Sequence, residues 1–276
     1  MAEYSDATYE SLRDTLEYLH DKYNRPEFVE CDPISIPHAF YDVRDREIAG
    51  LLAATIAWGN RRAIVRSARR MVEYMDGAPY DFVCNASEGD LTRLRTFVHR
   101  TFNGEDFIDF VRAMRSVCER YGSIGELFQG SYERLGSMAA VLSHVRREFF
   151  SVEHNPHCEK HFSSIDKGAA CKRLNMYARW FVRRDNRGVD FGDWQRIPMS
   201  ALYLPLDVHS GNMGRALGLL TRRQSDWRAT EEITAALRRF DLWKQLDSKS
   251  QWQMGKQWKE IYILKLHQKQ LGILLN

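Results

Sequence analysis

The residues of this chain whose types and spacing best suit chemistry are Asp207, His209 and Lys172. Asp207 and His209 close an apolar run, Ile197-Pro198-Met199-Ser200-Ala201-Leu202-Tyr203-Leu204-Pro205-Leu206-Asp207-Val208-His209. A carboxylate behind an apolar wall at a helix N-terminus can be held in place and its charge tuned. The alternative is that Asp207 serves only as an N-cap. Gly211-Asn212-Met213-Gly214-Arg215-Ala216 reads as the start of the helix that follows. Upstream, Lys172 stands one residue before the mostly apolar face of an amphipathic stretch that runs to Val182. Desolvation there would favour the neutral amine, the form that attacks an electrophilic carbon. The alternative is an ordinary solvated lysine, because charged residues are rarely buried.

Two further places carry reactive or recognising groups. Ala57-Trp58-Gly59-Asn60-Arg61-Arg62 joins an apolar stretch to a basic one. On its own, Trp58 there reads as a core aromatic with Gly59 as a helix C-cap. His154-Asn155-Pro156-His157-Cys158-Glu159-Lys160-His161 gathers three His and one Cys within eight positions, a spacing that suits a metal. The run lacks a second, distant ligand pair, so no metal and no cofactor are expected.

These residues need elements to position them, and the pattern is helical. Apolar periodicity predicts helices over 7–24, 45–57, 61–75, 104–121, 123–129, 134–150, 168–183, 211–220 and 226–239. In 61–75, Ile64, Ala68, Met71, Val72 and Met75 turn inward, while Arg61, Arg62, Arg66, Arg69 and Arg70 turn mostly outward. No alternating β-branched run is long enough for a sheet, and there are no internal repeats. The expectation is an all-α protein.

Composition sets the outer bounds. The 276 residues are 44% hydrophobic and 28% charged, enough for a packed core. With 40 basic and 37 acidic residues the net charge is +3, so any affinity for nucleic acid must come from local patches. No apolar run approaches the length of a membrane span, and the acidic start Met1-Ala2-Glu3-Tyr4-Ser5-Asp6 does not read as a signal peptide. Five scattered cysteines suit a reduced, cytoplasmic protein and argue against a four-cysteine iron–sulfur cluster. From Leu242 the texture changes: Trp243, Trp252, Trp258 and Tyr262 stand among many Lys and Gln, without proline.

Several dispersed motifs carry a resemblance. They are Tyr23-Asn24-Arg25-Pro26-Glu27-Phe28, Asp32-Pro33, Pro37-His38, Ala57-Trp58-Gly59-Asn60-Arg61, Lys167-Gly168, Cys171-Lys172-Arg173-Leu174-Asn175-Met176, Arg179-Trp180, Val182-Arg183 and Pro205-Leu206-Asp207-Val208-His209. Over 1–240 they resemble the DUF2400 family of uncharacterised proteins. The family normally continues past Phe240-Asp241 with a different, glycine-rich end, so 241–276 reads as an atypical C-terminal tail. A weaker resemblance rests on Lys172-x-x-Asn175 and Pro205-x-Asp207-x-His209…Leu217-Gly218-Leu219. It points to the helix-hairpin-helix DNA glycosylases, which include endonuclease III and the 8-oxoguanine glycosylases.

That second resemblance implies two helical lobes within 1–240, the N-terminal part and 168–240 flanking a cleft. It implies Lys172 as the nucleophile on a flipped, damaged nucleotide, an oxidised purine in particular, and Asp207 as the carboxylate that stabilises the sugar cation. Trp58 would wedge into the duplex and Asn60 would pair with the orphaned base. Arg61, Arg62 and His209 would contact DNA, the partner this reading implies. Two departures stand against it. Ile165-Asp166-Lys167-Gly168-Ala169 holds one glycine where the hairpin normally has two, and Asn212 replaces the usual Arg. Two other readings remain open: nucleic-acid binding without catalysis, and a helical partner-binding protein.

Overall fold

The computed structural model describes the backbone of residues 6–246 and the side chains of residues 10–239. The tail at 241–276 lies outside the described residues, apart from the backbone of 241–246. The protein is all-α, with one two-stranded antiparallel pair among the described residues. The chain divides into two compact units. Among the described residues, 6–28, 168–192 and 198–246 form one; residues 29–167 and 193–197 form the other.

The 29–167 unit is built around α2 (Val43–Thr55), which Asp42 caps through the Arg44 N–H. Every residue of α2 from Glu47 to Thr55 is buried. A helix apolar on all sides can only sit at the centre of its unit. Packed on it are α3 (Arg61–Tyr74), α4 (Pro79–Asn85) and α7 (Ile124–Leu135). A second layer of contacts joins α6 (Gly104–Tyr121), α7 and α8 (Met138–Phe149). Short α5 (Glu88–Arg93) and the pair β1 (Val98–His99) and β2 (Phe102–Asn103) bridge into α6; Val98 stands opposite Asn103 and His99 opposite Phe102. Phe97, Phe102, Phe107 and Phe110 pack edge-to-face in the core beside them.

Helices α4 and α5 and the β pair carry no periodic signal in the sequence. At seven, six and two residues they are too short to show a repeat.

One carboxylate lies deep in this unit. Glu47 accepts from Gly125 N and Trp194 Nε1, each at 2.9 Å. Burial raises its carboxyl above the ordinary range, and these two donors offset part of the rise. The arrangement requires glycine at 125: a Cβ there would sit 2.0 Å from Glu47 Oε1 and 2.5 Å from Trp194 Nε1.

The other unit contains α1 (Asp6–Tyr23), α9 (Lys172–Val182), α10 (Val208–Ala216) and α11 (Trp227–Leu246). In this unit two helix starts differ from expectation by three residues or more. Helix α9 begins at Lys172 rather than 168, because Gly168 and Ala169 pair their backbones with the start of α11: Trp227 N donates to Gly168 O, and Ala169 bridges Asp226. Helix α10 begins at Val208 rather than Gly211, because Asp207 and Ser210 cap it reciprocally.

Substitution at the two glycines of α7 should separate the Glu47 contact from helix propensity. Gly125→Ala should lower stability by about 1–3 kcal/mol through overpacking. Gly130→Ala, with nothing within 4 Å of its Cβ position, should raise it by up to about 1 kcal/mol. Urea denaturation measures both.

Candidate active site

Lys172 and Asp207 meet, in the same unit. Lys172 Nζ lies 3.4 Å from Asp207 Oδ2. Both side chains are mostly buried, yet each keeps some exposure, 26% and 16%. A partly open ion pair of this kind combines weak net stabilisation with access from solvent.

Each partner is fixed by its own surroundings. Lys172 is the first residue of α9, and Cys171 before it takes a left-handed conformation at φ 47. For a non-glycine residue this is an uncommon, mildly strained geometry. Backbone bonds hold it: Asn175 N donates to Cys171 O, and Asn175 Nδ2 donates to Ala170 O at 3.1 Å. Thr230 Oγ1 of α11 also donates to Ala170 O. Next to Lys172, burial pulls the Arg173 guanidinium down to about 10, and Cys171 offsets little of that.

At the far end of α9, Arg179 and Arg183 both ion-pair with Asp190, and Arg183 also pairs with Asp185 at 3.1 Å. All four charged groups are buried. Asn24 joins the cluster, accepting from Arg183 Nη2 and donating to Asp185 Oδ2, both at 2.6 Å.

Asp207 ends an extended segment whose Leu202, Leu204 and Leu206 are buried. Helix α11 pins that segment: Leu204 N donates to Thr234 Oγ1 at 3.1 Å, and Arg238 Nη2 donates to Leu202 O at 3.1 Å. Tyr203 packs against Trp227, with ring centroids 4.7 Å apart. Asp207 Oδ1 then accepts from Ser210 N at 2.9 Å, while Asp207 N donates to Ser210 Oγ at 2.8 Å. The two oxygens divide their work. Oδ1 caps α10, and Oδ2 faces Lys172. The cap and the charged site, two alternatives by sequence, are one residue.

His209, the second residue of α10, is exposed. Trp58, Asn60, Arg61 and Arg62 lie in the other unit. Trp58 is half-buried, stacked on His161 at 5.5 Å and edge-on to His99 at 5.4 Å. Gly59, at φ +99, lies under the Arg100 guanidinium. Asn60 caps α3 by accepting from Ala63 N at 3.2 Å. On α3, Arg62, Arg66, Arg69 and Arg70 are exposed and Arg61 is half-exposed, while Ile64, Val65, Ala68 and Met71 are buried.

The His-rich run is a 3-10 turn, Pro156–His161. His154 turns to Val152 O and Glu159. Burial, followed by Asp109, pushes the Cys158 thiol up to about 12. His157 and His161 instead converge on Asp106 of α6, a residue absent from the sequence-derived candidates. Its signal is visible only in the fold, since it lies 51 positions from His157.

A family model described as "Protein of unknown function (DUF2400)" matches residues 32–243, a span that includes Lys172 and Asp207. No curated protein and no solved structure matches the chain.

The double duty of Asp207 predicts an asymmetry between two substitutions. Asn caps helices about as well as Asp does, so Asp207→Asn should keep α10 intact. Asp207→Ala should be less stable than Asp207→Asn by about 1 kcal/mol. Chemical denaturation of the two variants measures the difference.

Proposed function

The chain belongs to the DUF2400 family, and from that premise and the Lys172–Asp207 pair we propose that it is a DNA-repair glycosylase with lyase activity on a damaged base. The observation that carries this reading is the 3.4 Å approach of an amine and a carboxylate at two helix N-termini, both partly open to solvent. The weaker resemblance to the helix-hairpin-helix glycosylases supplies the reaction type, by analogy.

In this reading the Lys172 ammonium first gives up a proton to solvent, to which the pair is partly open, so that Asp207 stays ionised. The freed amine attacks C1′ of the flipped nucleotide. The C1′–N bond breaks, and its electron pair leaves with the base. Asp207 stabilises the positive charge that develops on the sugar, a fixed charge acting where charge appears. Opening of the sugar ring then leaves an imine between Lys172 and C1′. An oxidised purine is the proposed lesion.

DNA would be held by sequence-independent contacts. The exposed guanidinium row of α3 favours this, with Asn60, Arg61 and Arg62 at its start and Trp58 stacked beside them. His209 would add a contact next to the catalytic pair. All five cysteines are free thiols, and no helix among the described residues is long and apolar enough to cross a membrane; we read the protein as cytoplasmic. The row on α3 equally favours a second reading, nucleic-acid binding without catalysis. Lys172 separates the two.

Borohydride reduction with labelled lesion-bearing oligonucleotides tests the chemistry. A covalent adduct should form, persist in Lys167→Gln and vanish in Lys172→Gln. Asp207→Asn should slow base release by roughly 100-fold or more, the scale of losing one preorganised electrostatic group. An adduct that persists in Lys172→Gln would place the nucleophile elsewhere. No adduct with any lesion leaves the binding reading.

Binding has its own test. Duplex affinity should fall steeply with salt, by a slope of about 0.9 per phosphate contacted. Arg66→Glu with Arg69→Glu should weaken all sequences about equally. Absence of duplex binding at low salt would contradict both nucleic-acid readings.

A further inference from the structure

Three further side chains meet within the 29–167 unit. Asp106 lies in the first turn of α6, where it accepts from Asn103 N at 2.9 Å. His157 and His161 come from the 3-10 turn Pro156–His161. His157 Nδ1 is 2.6 Å from Asp106 Oδ1, and His161 Nε2 is 3.3 Å from Asp106 Oδ2. One ligand atom from each of the three falls within 4.8 Å of the others. Asp106 and His161 are buried, while the His157 side chain is 41% exposed and leaves a way in.

The hydrogen bonding of this cluster is poorly aligned at His161. Its Nε2 is buried and makes no hydrogen bond among the described residues, although Asp106 Oδ2 is close by. A buried imidazole nitrogen without a well-aligned hydrogen bond is costly, and here it lies 3.3 Å from a carboxylate. Two imidazoles and a carboxylate are the donor set of three-ligand zinc sites, which keep a fourth position open. Tetrahedral ligands about 2.1 Å from an ion stand about 3.4 Å apart. The His161–Asp106 separation already fits; His157, on an exposed turn, stands at 2.6 Å from Asp106 and has to move outward.

The geometry points to a binding site for a first-row divalent cation of the zinc class at Asp106, His157 and His161. Imidazole and carboxylate together suit Zn²⁺ better than Ca²⁺ or Mg²⁺, which prefer oxygen. The ion would tie the 3-10 turn to α6. Trp58 lies flat on His161, so the ion would also fix the ring at the head of the basic helix. Lys160 Nζ is 2.6 Å from His157 Nε2; its side chain is exposed and must swing aside as the cation enters.

Cobalt titration of untagged, chelator-treated protein tests the site. Co²⁺ should bind with one-to-one stoichiometry, give visible d–d absorption and be displaced by Zn²⁺. His157→Gln, an exposed change that should leave the fold intact, should weaken binding by roughly 10-fold or more. His154→Gln should bind as the unsubstituted protein does, because His154 faces Val152 and Glu159. Lys160→Ala should bind more tightly, since it removes a neighbouring positive charge. Zn²⁺ should raise the Tm of the unsubstituted protein more than that of His157→Gln. Lack of one-to-one Co²⁺ binding, or equal affinity in His157→Gln, would overturn the proposal.

Discussion

The arrangement of the 168–192 segment depends on four buried charges. Arg179 and Arg183 project from the last turn of α9 and its end, and nothing apolar could accept them. Guanidinium groups taken out of water need partners of opposite charge in good geometry, and removing one partner from such a set costs about 3–5 kcal/mol. Asp185 and Asp190 provide those charges, so residues 183–192 must fold back over the end of α9. Asn24 extends the constraint to the end of α1 through hydrogen bonds to both Arg183 and Asp185. The direction of α9 is thereby set at its C-terminal end. Its first residue, Lys172, is set at the other end by the left-handed Cys171 and the backbone pairing of Ala169 with Asp226.

Helix α11 links the two halves of the site. It anchors the approach to α9 through Trp227 and Thr230, and the approach to Asp207 through Thr234 and Arg238. These residues recur at three- to four-residue intervals, so one helix face holds both segments. A lysine and an aspartate 35 positions apart are thus held to one distance by a third element. Such support from rigid elements is what a site needs if its two groups are to act together.

The helices with a long apolar repeat were legible in the sequence, because a stripe of Ile, Leu, Met and Ala at helical spacing fixes which face is inward; α3 and α6 are examples. Lys172 and Asp207 were legible as a pair only through resemblance. Spacing along the chain says nothing about a 3.4 Å contact across 35 residues. The start of α10 was misplaced because Gly211 and Gly214 resemble a boundary, whereas the reciprocal cap of Asp207 with Ser210 uses serine where Glu or Gln is the familiar partner. Asp106 was missed for a related reason. In sequence it is an acidic residue in the first turn of a helix, and only the packing of the His157–His161 turn on α6 gives it two imidazole neighbours.

The central claim is that Lys172 is the amine that bonds to the sugar. Mass-spectrometric sequencing of peptides from the borohydride-reduced protein–DNA adduct reads this directly. The account predicts the added sugar mass on Lys172 and on no other residue. The same mass on a different lysine, or on the α-amine of Met1, would contradict it.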